Sequence, residues 1–190
     1  LNAQLYQAIE AADDLIETFH AILRISQIEA GAQRESFREV DLTAVLSRIE
    51  DAYSAVAEEN NQTLVFTSGA SPQTVLGDQQ LITQMVANVV ENALRHCPAM
   101  AHIEVSLLSS SDHTAFTVSD NGPGIPEKDR EKVFRRFYRV EKSRTTSGNG
   151  LGFSLVKAIA DLHSAKVTLS DNHPGLNVTV LFPNDPSATS

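Results

Sequence analysis

Three polar clusters in this sequence carry residue types and spacings that could do chemistry. In the first, Asp120-Asn121-Gly122-Pro123-Gly124-Ile125-Pro126 directly follows a β-rich run. An Asp at a strand end can accept a hydrogen bond from an exocyclic amine, and glycines on either side of Pro123 would let backbone approach a planar ligand. By itself the stretch also reads as a simple turn. In the second, Gly148-Asn149-Gly150-Leu151-Gly152 opens a helical run, where backbone N–H groups and the helix dipole can hold phosphate oxygens. By itself it also reads as a glycine-rich hinge. In the third, Asn88, Asn92, Arg95 and His96 lie within Asn88-Val89-Val90-Glu91-Asn92-Ala93-Leu94-Arg95-His96, at a spacing that gives them one shared polar edge on a helix. An amide oxygen is a hard ligand suited to Mg2+, and Arg and His can offset triphosphate charge. The alternative is that these amides simply face solvent. The glycine clusters fit neither the P-loop, which needs Lys and Ser or Thr after its last Gly, nor the G-x-G-x-x-G dinucleotide fingerprint. The combination points to another kind of nucleotide pocket.

The elements that must position these clusters are legible from periodicity. Residues 1–30 predict one long helix with an apolar seam through Leu5, Ile9, Ala12, Ile16, Phe19 and Leu23, and a second stripe through Leu15, Ile22, Ile25 and Ile28. Gly31 supplies a stop. So wide an apolar face calls for packing onto another chain or onto a helix upstream, with folding back onto the following domain as the alternative. After a polar connector, Gln33 to Phe37, Asp41 is the expected N-cap of a second helix and Asp78 that of a third, which carries Leu81, Ile82, Met85, Val86, Val89, Val90 and Leu94. Strands are expected at Thr63–Thr67, Thr74–Leu76, Ile103–Leu108, Ala115–Val118, Lys166–Leu169 and Asn177–Phe182. A short charged helix is expected from Glu127 to Arg136, a loop from Glu141 to Gly150, and a last helix from Leu151 to His163. Consecutive hairpin-like strands predict an α+β fold, an antiparallel or mixed sheet with helices on one face.

Composition sets the bounds. The 190 residues carry a net charge of −9, which argues against a general nucleic-acid binder. The charge is uneven: residues 1–60 hold 12 acidic and 4 basic side chains, whereas residues 128–144 hold 8 basic and 3 acidic ones. No apolar run approaches the ~18 residues of a membrane span and no charged-then-apolar leader opens the chain, so the sequence reads as a soluble piece, and without an initiator Met as an excerpt. The single Cys97 excludes an internal disulfide and a cysteine-rich metal site, which suits a reducing compartment.

Taken together and in order, the clusters resemble the ATP-binding catalytic domain of bacterial sensor histidine kinases of two-component systems, on the fold shared with gyrase, Hsp90 and MutL ATPases. Asn88 to His96 is similar to the family's N box, Asp120 to Ile125 to its G1 box, Phe134-Arg135-Arg136-Phe137-Tyr138-Arg139 to its F box, and Gly148 to Gly152 to its G2 box. The resemblance runs from about Arg38 to Phe182. Leu23 to Gly31 resembles the end of the second helix of the family's dimerisation and phosphotransfer hairpin. The resemblance implies a two-layer α/β sandwich of the Bergerat type preceded by one long helix. It also implies a partial phosphotransfer helix at residues 1–32, a connector at 33–40, a catalytic domain at 41–183 and a tail at 184–190.

Carried over, the resemblance implies ATP and Mg2+ as cofactors and transfer of the γ-phosphate to a histidine, for relay to a response regulator. Asp120 would anchor adenine, and Asn92 would ligate Mg2+ with Asn88 beside it. Arg95, His96 and Arg139 would face the phosphates. Gly122, Gly124 and Ile125 would shape the base pocket, and Gly148, Gly150, Leu151 and Gly152 would frame the triphosphate. Residues 138–150 would form a lid, with Tyr138 and Arg139 at its near end and Phe134 and Phe137 as hydrophobic pegs. Glu91 could activate or orient a nucleophile. Where ATP-hydrolysing clamp relatives carry a water-activating Glu, this sequence has Asn88, and an amide is no general base.

The family's acceptor histidine, followed by an acidic residue, is absent. His20 is expected to be structural or exposed, His102, His113, His163 and His173 share no metal-ligand spacing, and Cys97 is expected to be buried packing. The implied partners are therefore the histidine-phosphotransfer hairpin of the same protein, a second copy in a homodimer, and the response regulator. The implied location is cytoplasmic, the intact proteins usually being membrane-anchored. Alternatives from the same superfamily are an ATPase clamp, a protein-serine kinase or a nucleotide-binding regulatory module without turnover.

Overall fold

The computed structural model describes residues 2–31, 36–69, 72–140 and 149–184. Its order is α1 (Asn2–Glu29), β1 (Arg38–Asp41), α2 (Leu42–Glu59), β2 (Thr63–Ser68), β3 (Thr74–Gly77), α3 (Gln79–His96), β4 (His102–Ser109), β5 (His113–Asp120), α4 (Glu127–Arg130), α5 (Gly152–Leu162), β6 (Lys166–Asp171) and β7 (Leu176–Pro183). Among the described residues, five strands form one sheet in the order β2-β4-β5-β7-β6. The β2–β4 pair is parallel and the others antiparallel. The expected mixed sheet of an α+β fold is thus present.

Strand parity makes the layers. In β5 Thr114, Phe116, Val118 and Asp120 are buried, and in β7 Leu176, Val178, Val180 and Phe182 are buried, while their alternates are more open. Helices α2, α3 and α5 bring the matching apolar faces, among them Leu46, Ile49, Met85, Val86, Val90, Val156 and Ile159. Asp120 stands at the last inward position of β5, so the period of two alone puts a carboxylate on the core side of the sheet.

Both expected caps form. The Asp41 carboxylate accepts from Ala44 N–H at 3.2 Å and the Asp78 carboxylate from Leu81 N–H at 2.9 Å. The start of α3 is fixed further by buried His163, whose Nε2 accepts the Asp78 N–H at 3.0 Å while Nδ1 donates to the Ile159 carbonyl at 2.7 Å. The first contact requires an unprotonated Nε2 and so assigns the proton to Nδ1. Phe37 stacks on the His163 ring with centroids 4.6 Å apart.

Three expectations change. Strand β1 was not anticipated, because Arg-Glu-Val-Asp holds one apolar residue; its ladder comes from β3, and Val40 is its buried member. The helix expected from Glu127 to Arg136 is one α-turn followed by a 3-10 turn at Lys132–Phe134. No side chain caps its start at Pro126, and Asp129 turns inward to meet Tyr138. The wide face of α1 divides. Ile25 and Ile28 are buried beside α5, whereas Ile16 and Phe19 are 54% and 59% exposed. The last turns fold back onto the domain.

Candidate active site

The inward face of the sheet's Asp120 end, α3 and the start of α5 enclose a cavity of about 930 Å3. Val118, Ile125, Leu155 and Val178 supply apolar wall. A pocket of this size with few convergent polar groups suits a small-molecule ligand.

At its base Asp120 is held by turns from two distant parts of the chain. Its Oδ1 accepts N–H bonds from Gly122 at 2.8 Å and from Leu176 at 3.3 Å, and its carbonyl accepts from the Asn172 side chain at 2.9 Å. Two backbone donors on one oxygen orient the carboxylate and leave Oδ2 for another donor. Cys97 lies beside it. Burial, then the Asp120 charge and a hydrogen bond to it, push the thiol up to about 12. Cys97 is buried as expected, but in the cavity wall.

The glycines of the 120–126 turn let two turns meet. A Cβ on Gly122 would sit 2.6 Å from Cys97 Sγ, and one on Gly124, whose φ is +66°, would sit 2.8 Å from the Gly175 carbonyl. A Cβ on Gly175 would fall 1.7 Å from the Asp120 carbonyl oxygen. The two turns interlock through missing side chains. Gly124 and Ile125 reach the cavity, but Gly122 does not line it.

Opposite, the polar edge of α3 faces the cavity with Asn88, Glu91, Asn92, Arg95 and His96. Asn88 Nδ2 donates to the Gln84 carbonyl at 2.8 Å, leaving Oδ1 as the amide's open acceptor. A Cβ on Gly152 would lie 3.1 Å from the Asn92 amide and 3.6 Å from Asn88 Oδ1, so this glycine brings the start of α5 directly onto both amides. Gln84 Oε1 is buried on the same side with no partner among the described residues. Hard oxygen donors at a helix N-terminus fit a hydrated divalent cation with phosphate. No cluster of three His, Cys, Asp or Glu occurs among the described residues, so protein carboxylates and imidazoles form no metal cage there. His96 is held below the ordinary imidazole value, first by desolvation and then by the guanidinium charges of Arg95 and Arg139.

Tyr138, Arg139, Gly150, Leu151 and Gly152 complete the rim. Tyr138 Oη donates to Asp129 Oδ1 at 2.8 Å, and Lys132 lies 3.4 Å from the same oxygen. The Tyr138 hydrogen bond, followed by Lys132, holds Asp129 below the usual carboxylate range despite desolvation. Arg130 bonds the Ile125 carbonyl at 3.2 Å and Asp171 at 2.6 Å, tying the foot of this segment to the sheet. Phe137 N–H donates to the Gly150 carbonyl at 3.0 Å, which draws together the two ends of the intervening segment. Residues 141–148, with Gly148 and most of the expected lid, lie outside the described residues.

Phe137 departs from the expected peg. It adopts a φ of +64°, the residue is 56% exposed, and it does not line the cavity; its contact with Gly150 is through backbone. Phe134 does pack, edge-on to Phe153 at 5.9 Å. The basic strip also divides: Arg130, Lys132 and Arg136 form ion pairs with Asp171, Asp129 and Glu29, whereas Arg139 borders the cavity. Arg130, Asn172 and Gly175 were missed because their roles rest on partners far along the chain, and Asp129 because the turn that brings Tyr138 onto it has no periodic signature. The adjacency of Gly to a strand-ending Asn-His-Pro was the one local hint for Gly175.

A one-faced mixed sheet with a buried strand-end carboxylate, a polar helix edge and a glycine-led helix N-terminus defines a nucleotide-binding α/β sandwich. The family described as histidine kinase-, DNA gyrase B-, and HSP90-like ATPase matches residues 77–186, more than half of the sequence, and the chain belongs to it. It is 30% identical over 179 residues to the sensor-like histidine kinase SenX3 of Mycolicibacterium smegmatis, covering 93% of this chain and 46% of that protein. It is also 30% identical over 190 residues to the sensor protein kinase PmrB of Pseudomonas aeruginosa, covering 98% of this chain and 39% of that one. The chain therefore spans less than half the length of these curated relatives. The solved catalytic domain of histidine kinase ThkA shares the fold, with a TM-score of 0.71 at 24% identity, covering 79% of this chain and 99% of that one. No described helix is long and apolar enough to cross a membrane.

Proposed function

We propose that the chain is the ATP·Mg2+-binding catalytic module of a sensor histidine kinase, which passes the γ-phosphoryl group to a histidine on a phosphotransfer hairpin for relay to a response regulator. The observation that carries this is the convergence of Asp120, the Asn88–Asn92 edge and Gly152 on one cavity. On this reading residues 1–32 are part of the hairpin, residues 41–183 the catalytic domain, and the intact protein a homodimer working on the cytoplasmic side.

Asp120 accepts the exocyclic amine of adenine, and Val118, Ile125 and Val178 border the base. The N-terminal amides of α5 and the side chains of Arg95, His96 and Arg139 offset the phosphate charge. Asn92, with Asn88 beside it, would hold Mg2+, which when bound would neutralise charge on the phosphates. An acceptor imidazole nitrogen then forms the bond to the γ-phosphorus as the bond to the bridging oxygen breaks and ADP leaves. Such transfer needs chiefly positioning and charge stabilisation. Asn88 provides no base to activate water, which favours transfer over hydrolysis and sets this reading above an ATP-driven clamp.

The test supplies a hairpin containing an acceptor histidine and follows labelled γ-phosphate. Acid-labile, alkali-stable phosphoprotein that disappears in Asn92→Ala is the expected result. Steady ATP hydrolysis without phosphoprotein, indifferent to Asn92→Ala, overturns it.

A further inference from the structure

One contact to the α3 edge comes from a helix outside the motifs. Tyr53, on α2, donates its hydroxyl to Glu91 Oε1. Tyr53 is half-buried against the core, so its ring is anchored by packing and its hydroxyl arrives in a set place. Burial, then the hydrogen bond to Glu91 and its charge, hold the phenol above its ordinary value; the hydroxyl is a donor throughout the physiological range.

Glu91 has a second suitor, Arg95, four residues on, where opposite charges commonly pair on a helix. No such ion pair forms among the described residues. The carboxylate is turned to α2, and Glu91 lines the same cavity as both asparagines. A carboxylate there would repel a triphosphate in the absence of a counter-ion. With a hydrated divalent cation between them, its remaining oxygen can accept hydrogen bonds from cation-bound water, as outer-shell acceptors orient metal ligands elsewhere.

We propose that Tyr53 is a positioning residue that fixes Glu91 as an outer-shell acceptor for the nucleotide's divalent cation, making ATP binding more dependent on that cation. Glu91 then acts on the cation's water and is not a base for the nucleophile. This rests on the nucleotide site proposed above.

The experiment measures ATP affinity calorimetrically with Mg2+ and with chelator, and requires no phosphotransfer. Glu91→Gln is expected to tighten metal-free binding slightly and to reduce the Mg2+-dependent gain about tenfold. Tyr53→Phe should move both in the same direction by less, and add nothing in the Glu91→Gln background. An Mg2+-dependent gain unchanged in Glu91→Gln, or additive effects of the two substitutions, overturns the proposal. Thermal melts accompany each variant; should Tyr53→Phe fail to fold, Glu91→Gln, which preserves shape, decides alone. Asn92→Ala separates the two levels. If it leaves the Mg2+-dependent gain intact, the site assignment fails; if it abolishes the gain while Glu91→Gln does not alter it, only this inference fails.

Discussion

The two ends of the cavity are built differently. At the Asp120 end the determinants are backbone groups of two turns, with glycines pressed against a thiol, a carbonyl and one another, and the carboxylate is oriented by N–H groups 2 and 56 residues away. At the opposite end they are side chains of a helix edge and an adjoining segment, Arg95 and His96 among them exposed. The first end is shaped before a ligand arrives, since an interlocked backbone has one arrangement. The second relies on charge, which tolerates displacement of the groups that carry it. On the function proposed above, discrimination among bases belongs to the first end and phosphate affinity to the second.

The largest effect should come from adding one carbon to the interlock. Gly175→Ala puts a Cβ 1.7 Å from the Asp120 carbonyl oxygen at a φ of +115°. It is expected to cost about 3 kcal/mol of stability, to lower the melting temperature by roughly 10 °C, and to abolish ATP binding. Gly31→Ala is the control, because its φ is also positive, +71°, but its Cβ would meet nothing within 4 Å; about 1 kcal/mol is expected there. Equal losses in the two melts would show that the turns are not interlocked.

Next in size is Asp120→Ala. Losing a charged acceptor should weaken ATP about 10- to 100-fold, while a triphosphate without a base should bind as before. Calorimetric titration with both ligands would break the division of labour if the two losses were alike.

The smallest effect concerns His96. Its imidazole is held below the usual value in the free protein, and an anionic triphosphate beside it would raise it. The bound state then holds more protons than the free state, so affinity should rise as pH falls below the usual imidazole range, by a few-fold for a modest shift. Subtracting the profile of His96→Gln removes the titration of ATP itself. Superimposable profiles would place His96 away from the phosphates.

What was legible in the sequence was local. Asp41 and Asp78 announce helix starts because a cap acts over three residues. Alternation in β5 marks Asp120 as inward-facing, and the spacing of Asn88 and Asn92 puts them on one edge. Strand β1 was not legible, because its four residues depend on β3 for their ladder.

The sequence by itself thus determined the order of elements, the caps, the parity that buries Asp120 and the polar edge of α3. These follow from backbone geometry over a few residues. Only the tertiary structure decided that Gly122, Gly124 and Gly175 serve one another, that Phe137 faces outward, that three cations of the basic strip pair with acids, that Ile25 and Ile28 of α1 are buried on the domain, and that Tyr53 reaches Glu91. Each is a contact between distant parts of the chain, and nothing in a local spacing encodes which surfaces will meet.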